Sequence, residues 1–205
     1  MSTGMQCGVA IAADSIQIAV LGPLIPPEYV VDGALSSLGN LQGTTGGGWE
    51  VDADTRIDDG RVEMKNEGLV IDEIEITAAA QGPLTAPSGT FACTTGALVH
   101  TESESEITSL VAGGRFDANA LVLDSLNAGA ADGTIAISGR LPLAGGDSEE
   151  RDIVFEADYS LDGLPLPVLS PFVPGVKIRA GRAVGEGHVA FGSSAIDVRG
   201  DLRTD

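Results

Sequence analysis

Apolar and polar residues alternate with a period of two along much of this chain, and glycine or proline ends most of the runs. Trp49 to Ile57 is the clearest case. Trp49, Val51, Ala53, Thr55 and Ile57 share one face of an extended strand, while Glu50, Asp52, Asp54 and Arg56 share the other. Ile153 to Leu161 repeats the pattern, with Ile153, Phe155, Ala157, Tyr159 and Leu161 on the dry face and Val154, Glu156, Asp158 and Ser160 on the wet one. Shorter runs place Val62 and Met64, Ile71, Ile135 and Ile137, Ile178, and Ile196 on the same kind of dry face. In Leu69 to Ala78 the alternation slips by one residue at Asp72-Glu73, which predicts a β-bulge. Asp32-Gly33, Asp58-Asp59-Gly60, Glu67-Gly68 and Ala131-Asp132-Gly133 read as turns, the second of them as a hairpin turn.

No segment keeps an apolar 3.6 period over about 11 residues, the length a confident helix needs. Leu164 to Pro174 carries Pro165, Pro167, Pro171 and Pro174 and is a connector or a very short helix. Leu21 to Val31, with Pro23, Pro26 and Pro27, repeats that order of parts ahead of glycine-punctuated strands, so the chain reads as copies of one β unit. The expected fold is all-β: an elongated, curved, mainly antiparallel sheet of short amphipathic strands, groove-like or solenoid-like, with at most one or two short helices in the proline-containing connectors. Residues 1–205 form a single elongated domain, with the polar loop Ala144 to Glu150 as its one sub-boundary.

Composition sharpens this picture. The apolar residues are mostly Ala, Val, Ile and Leu, with five Phe, two Tyr and one Trp, and such small side chains suit a thin or open sheet better than a filled barrel. A formal net charge of −19 excludes nucleic acid as a partner, which needs clustered Lys and Arg, and sets the chain against anionic lipid surfaces. Cys7 and Cys93 match no zinc or redox spacing, and a single bridge between them stays open. There is no apolar run of membrane-spanning length and no leader-like N-terminus. The chain opens and closes in mid-pattern, which favours an internal piece of a longer exported or anchored protein over a cytosolic one.

No catalytic constellation emerges. His100 and His188 lack Cys or carboxylate at ligand spacing, and no nucleophile elbow, phosphate loop, zinc-protease or dinucleotide motif occurs, so neither a cofactor nor a metal site is expected. Glu50, Asp52 and Asp54 stand about 7 Å apart on one strand face, a spacing that adjacent strands could complete into a calcium site or an acid/base pair but that a solvated outer face explains without any special site. What remains is the dry face itself: Trp49, Val51, Ile57, Val62, Met64, Ile71, Ile135, Ile137, Ile153, Phe155, Tyr159, Ile178 and Ile196 form a long apolar surface once the strands align. A surface of that extent calls for the sheet to fold on itself, pair with another chain, or hold lipid.

The recurring unit of an apolar proline-containing segment, glycine and amphipathic strands resembles the periplasmic TamB and AsmA-like proteins. The likeness lies in Leu21 to Thr44, Trp49 to Val62, Asp132 to Leu143 and Leu164 to Val189, and spans nearly the whole chain as a pattern rather than as one invariant motif. It implies a taco-shaped sheet, apolar inside and polar outside, in an inner-membrane-anchored protein that crosses the periplasm. It also implies phospholipid acyl chains as ligand, an outer-membrane assembly barrel protein as a partner of the full-length protein, and a role in outer-membrane biogenesis with no catalytic residues. The family's N-terminal membrane anchor and C-terminal assembly domain have no counterpart in this sequence. A structural or adhesive extracellular β-solenoid with a packed interior is the alternative from another class, and a carbohydrate-active enzyme using the clustered carboxylates a third.

Overall fold

The computed structural model describes residues 5–20, 25–44, 47–101, 105–143, 155–169, 180–191 and 196–204. The strands are β1 (Gln6–Gln17), β2 (Tyr29–Thr44), β3 (Trp49–Met64), β4 (Leu69–Pro83), β5 (Ser88–Thr94), β6 (Ala97–His100), β7 (Ser105–Phe116), β8 (Ala120–Ala130), β9 (Gly133–Pro142), β10 (Phe155–Pro165), β11 (Arg182–Phe191) and β12 (Ile196–Thr204). They form one antiparallel, curved sheet in which each strand is hydrogen-bonded to its neighbour in chain order, except that β5 and β6 share one position. β5 and β6 lie end to end between β4 and β7, separated by Thr95-Gly96. One short helix, α1 (Leu166–Leu169), occupies the proline-containing connector after β10, and residues 18–20 form a single 3₁₀ turn after β1. The expected all-β architecture and its short connector helix are therefore present. The loop Ala144 to Glu150, expected as a sub-boundary, lies outside the described residues, as do Ile153 and Ile178.

The strands are longer than the alternation predicts, because several interruptions read as turns are bulges inside continuous strands. β3 runs 16 residues through Asp58-Asp59-Gly60, and β2 runs 16 through Asp32-Gly33. Pairing continues on both sides of the interruption, Leu35 with Ile57 above it and Val31 with Val62 below. Asp59 adopts φ 51°, the left-handed conformation that a hairpin turn and a bulge both use, so the local residues do not tell the two apart. Gly33 is buried, and a Cβ there would stand 2.9 Å from the Gly60 Cα, which is why neither position carries a side chain. The predicted bulge at Asp72-Glu73 is present, with Glu73 at φ 54°. Extra residues of the same kind sit at Ser15 (φ 52°), Ser109 (φ 53°) and Gly163 (φ 59°). Together with the Thr95-Gly96 break they line up across β1 to β7 at right angles to the strands and recur on β10, while β8 has its irregularity farther along, between Leu123 and Leu126. A bulge bends its strand and raises its twist, so a belt of them curves that part of the sheet along one line.

Little of this sheet is fully buried. The chain exposes 13269 Å², where a compact 20.8 kDa protein exposes about 9,000 Å². Among the described residues the buried apolar ones are six alanines with Ile74 and Leu164, and Leu164 is the one large side chain less than 2 % exposed. It pairs with Ala183 at the corner where α1 packs on β10 and reaches β7. Ala130 and Ala183, both 0 % exposed, belong to the same end of the sheet. That corner is the part with a conventional core.

Candidate functional site

Cross-strand pairing decides which residues share a face, because directly opposed residues point the same way. Ile16 opposes Leu35, Leu35 opposes Ile57, Ile57 opposes Ile76, and Ile76 opposes Cys93. The row continues through Ala112, Leu126, Ile137 and Tyr159 to Gly187 and Gly200. It crosses all eleven positions of the sheet without a charged residue, over about 48 Å at roughly 4.8 Å per strand. Over β1 to β7 the bulge belt runs beside this row, so its residues there lie along the line of curvature.

The sequence-predicted lining residues fall on the face of this row. Trp49 and Val51 precede Ile57 on β3; Val62 and Met64 regain the face after the Asp59 bulge, and Ile71 opposes Val62. Ile135 and Ile137 on β9 oppose Leu161 and Tyr159, and Phe155 lies on the same face of β10. All ten are half-buried. Ile196 opposes Phe191 in the backbone register, its side chain being outside those described. Sequence reasoning omitted Leu35, Phe91, Cys93 and Leu126 from the lining. Their strands are rephased by bulges or interrupted by glycine, so a simple alternation count loses them.

The aromatic side chains lie down on this face instead of standing up from it. A Cβ added to Gly114 would meet Phe91 Cζ at 2.7 Å, one on Gly89 would meet Phe116 Cζ at 2.7 Å, and one on Gly139 would meet Phe155 Cζ at 2.9 Å. Trp49 covers Gly43 and the Tyr159 hydroxyl covers Gly187 in the same way. Each ring thus takes the space that a neighbouring strand's side chain leaves empty, an arrangement that shields glycine backbone and keeps the apolar surface low. The small residues Ala13, Ser37, Thr55 and Ala78 continue the Phe91 row toward β1. Ser37 and Thr55 satisfy each other there, their hydroxyl oxygens 3.1 Å apart.

The opposite face carries the charge. Glu50, Asp52 and Asp54 are exposed on it, and among the described residues no group of three or more His, Cys, Asp or Glu is placed to hold a metal ion. Arg61 donates to Asp72 at 2.6 Å and Arg182 to Asp132 at 3.2 Å, both pairs well exposed. His188 Nδ1 lies 2.9 Å from Asp158 Oδ1, a partner that sequence spacing did not reveal because it comes from the neighbouring strand. This pair borders an open cleft of about 810 Å³ over β8 to β12.

Protonation equilibria are disturbed at a few points. Backbone N–H groups of Asn119 and Ala120 donate to Asp117 at 2.7 and 2.9 Å and hold its carboxyl below the usual aspartate range. Burial on the apolar face pushes the Cys93 thiol up, and both cysteines are free. Asp58 and Asp197 each raise the pKa of an adjacent arginine, Arg56 and Arg199. Among the described residues no helix is long and apolar enough to cross a membrane. Comparison of the chain with family models, with curated proteins and with solved structures finds no match.

Proposed function

We propose that this chain is a non-enzymatic β-groove segment that holds or conducts lipid acyl chains between the inner and outer membranes of the periplasm, in the manner of the TamB and AsmA-like proteins it resembles. The observation that carries the reading is the apolar row across every strand position, whose large side chains, Leu35, Ile57, Ile76, Leu126, Ile137 and Tyr159, are only half-buried. A solenoid with a packed interior would bury them. Each methylene of an acyl chain laid on such a surface contributes about 0.8 kcal/mol on leaving water, and the charged outer face keeps the assembly soluble.

Native mass spectrometry of the purified protein, followed by solvent extraction, tests this. Phospholipid in fixed stoichiometry is the expected result, lost when Val51 or Phe155 is changed to Asp. Bound acyl chains should also slow alkylation of Cys93, which lies in the row. A bare protein mass, with no uptake of a fluorescent acyl probe, would sink lipid carriage.

A further inference from the structure

We propose that the cleft over β8 to β11, on the charged face, is a binding site for a neutral glycan. Its floor and its walls differ in kind. Asn127 on β8, Ala136 on β9 and Ser160 on β10 are directly opposed across the sheet, and Ser125 and Ser138 extend this floor one step along the strands. None of the five is charged. The patch measures about 10 Å across the strands and about 7 Å along them, at roughly 4.8 Å per strand and 3.3 Å per residue. Ala136 and Ser138 are half-buried, while Asp124, Asp158 and Glu186 around them are exposed, so short side chains in the middle and longer ones at the sides leave the depression of about 810 Å³. Two of the wall carboxylates are already engaged: Asp124 accepts from Arg115, and Asp158 Oδ1 lies 2.9 Å from His188 Nδ1. The hydroxyl and amide groups of Ser125, Asn127, Ser138 and Ser160, by contrast, have no protein partner among the described residues.

The chemistry of the floor selects the occupant. A chain of net charge −19 repels anions, and a cation is drawn to the acidic face at large rather than to an uncharged patch within it. A protein partner needs apolar side chains to bury against, and the floor offers only the Ala136 methyl. A sugar hydroxyl both donates and accepts a hydrogen bond. It therefore meets the serine hydroxyls and the Asn127 amide as either partner, and it donates to the second carboxylate oxygen of Asp158 or to Glu186, which stands opposite Ser160. Ala136 gives the C–H face of one ring an uncharged place to rest. The extent of the floor suits two or three sugar units, free or within a longer chain. This inference does not rest on the lipid reading, because the cleft and the apolar row lie on opposite faces of the sheet.

Amide chemical-shift titration of the full chain with three neutral trisaccharides, maltotriose, cellotriose and chitotriose, tests the proposal. At least one should bind with a Kd below about 1 mM and shift the amides of Asn127, Ser138 and Ser160. Ser138→Leu, which fills the floor, and Asn127→Leu, which removes its amide, should each raise that Kd at least tenfold. Thr77→Leu, on the same face at β4, should leave it unchanged. Asn127 and Thr77 are exposed, Ser138 is half-buried, and circular dichroism checks that each variant keeps its β signature. Spermine and inorganic phosphate, as charged probes, should leave the three amides in place. Failure of all three trisaccharides to bind overturns the proposal, as does binding that survives both leucine variants. Shifts at the floor from spermine as large as those from a trisaccharide would overturn it too, because the cleft would then be acidic surface only.

Discussion

At Gly43 the absence of a side chain is what lets Trp49 lie flat, since a Cβ there would meet the indole Cδ2 at 2.5 Å and its three nearest atoms all belong to that ring. Gly43→Val should therefore force the indole upright or part the strands, and lower stability by about 1–3 kcal/mol in urea unfolding. Trp49→Leu should recover part of that loss in the double variant, because the two positions share one volume; strictly additive effects would mean the ring is not seated there. Asp117 is a second residue whose role is set by its neighbours. Its carboxylate accepts two backbone N–H groups at the β7–β8 turn, so its pKa is lower in the folded chain than in the unfolded one. A depressed carboxyl contributes stability that is present above its unfolded value, about 4, and is lost as pH falls through the folded value. Asp117→Ala should accordingly be less stable than wild type at pH 7, and the gap should close as the pH falls below about 4 and through the folded value. A gap independent of pH would show that the turn, not the charge, carries the effect.

The elements of this fold depend on residues held at positive φ. Ser109 sits at φ 53° in β7, where an L side chain crowds the backbone and glycine does not. Ser109→Gly should raise stability by about 0.5–1 kcal/mol, and Ser109→Val, which is branched at Cβ, should lower it by about 1–2 kcal/mol. If both substitutions are neutral in denaturant titration, the bulge is not a fixed element. The bulges also mark where the fold was legible from sequence and where it was not. The dry face of Trp49 to Ile57 was legible because nothing interrupts the alternation, and Asp72-Glu73 because apolar residues on both sides reveal the slip in phase. Asp58-Asp59-Gly60 was not, since the same dipeptide chemistry closes a hairpin or bulges a strand, and the choice is made by pairing with β2 and β4. From Phe116 to Leu123 the apolar residues fall on both faces and the alternation is ambiguous, because the stretch is the end of β7, a turn fixed by Asp117 and the start of β8. Of the lining, the branched aliphatic positions were visible, while Cys93 and Ala112 enter the central row only through the register of β5 with β7.

For the whole molecule, the decisive quantity is how little the sheet hides. Unfolded, a chain of this mass exposes about 30,000 Å², so folding to 13269 Å² buries about 56 % of its surface, the fraction expected of a domain of some 60 residues rather than one of this size. The denaturant slope follows the surface exposed on unfolding, so the urea m-value should be about a fifth below that of a compact protein of equal length. A filled interior would restore the ordinary slope. The same argument separates a groove from a finished fold when ligand is added. An acyl probe that binds the folded chain and not the unfolded one raises stability by RT ln(1 + [L]/Kd), about 2.7 kcal/mol at a hundredfold excess over Kd. The unfolding midpoint should then climb with probe concentration, and the climb should vanish in Ile137→Asp, which sets a charge in the middle of the apolar row. A midpoint that ignores the probe, together with an ordinary m-value, would mean that the half-covered face closes on itself in solution.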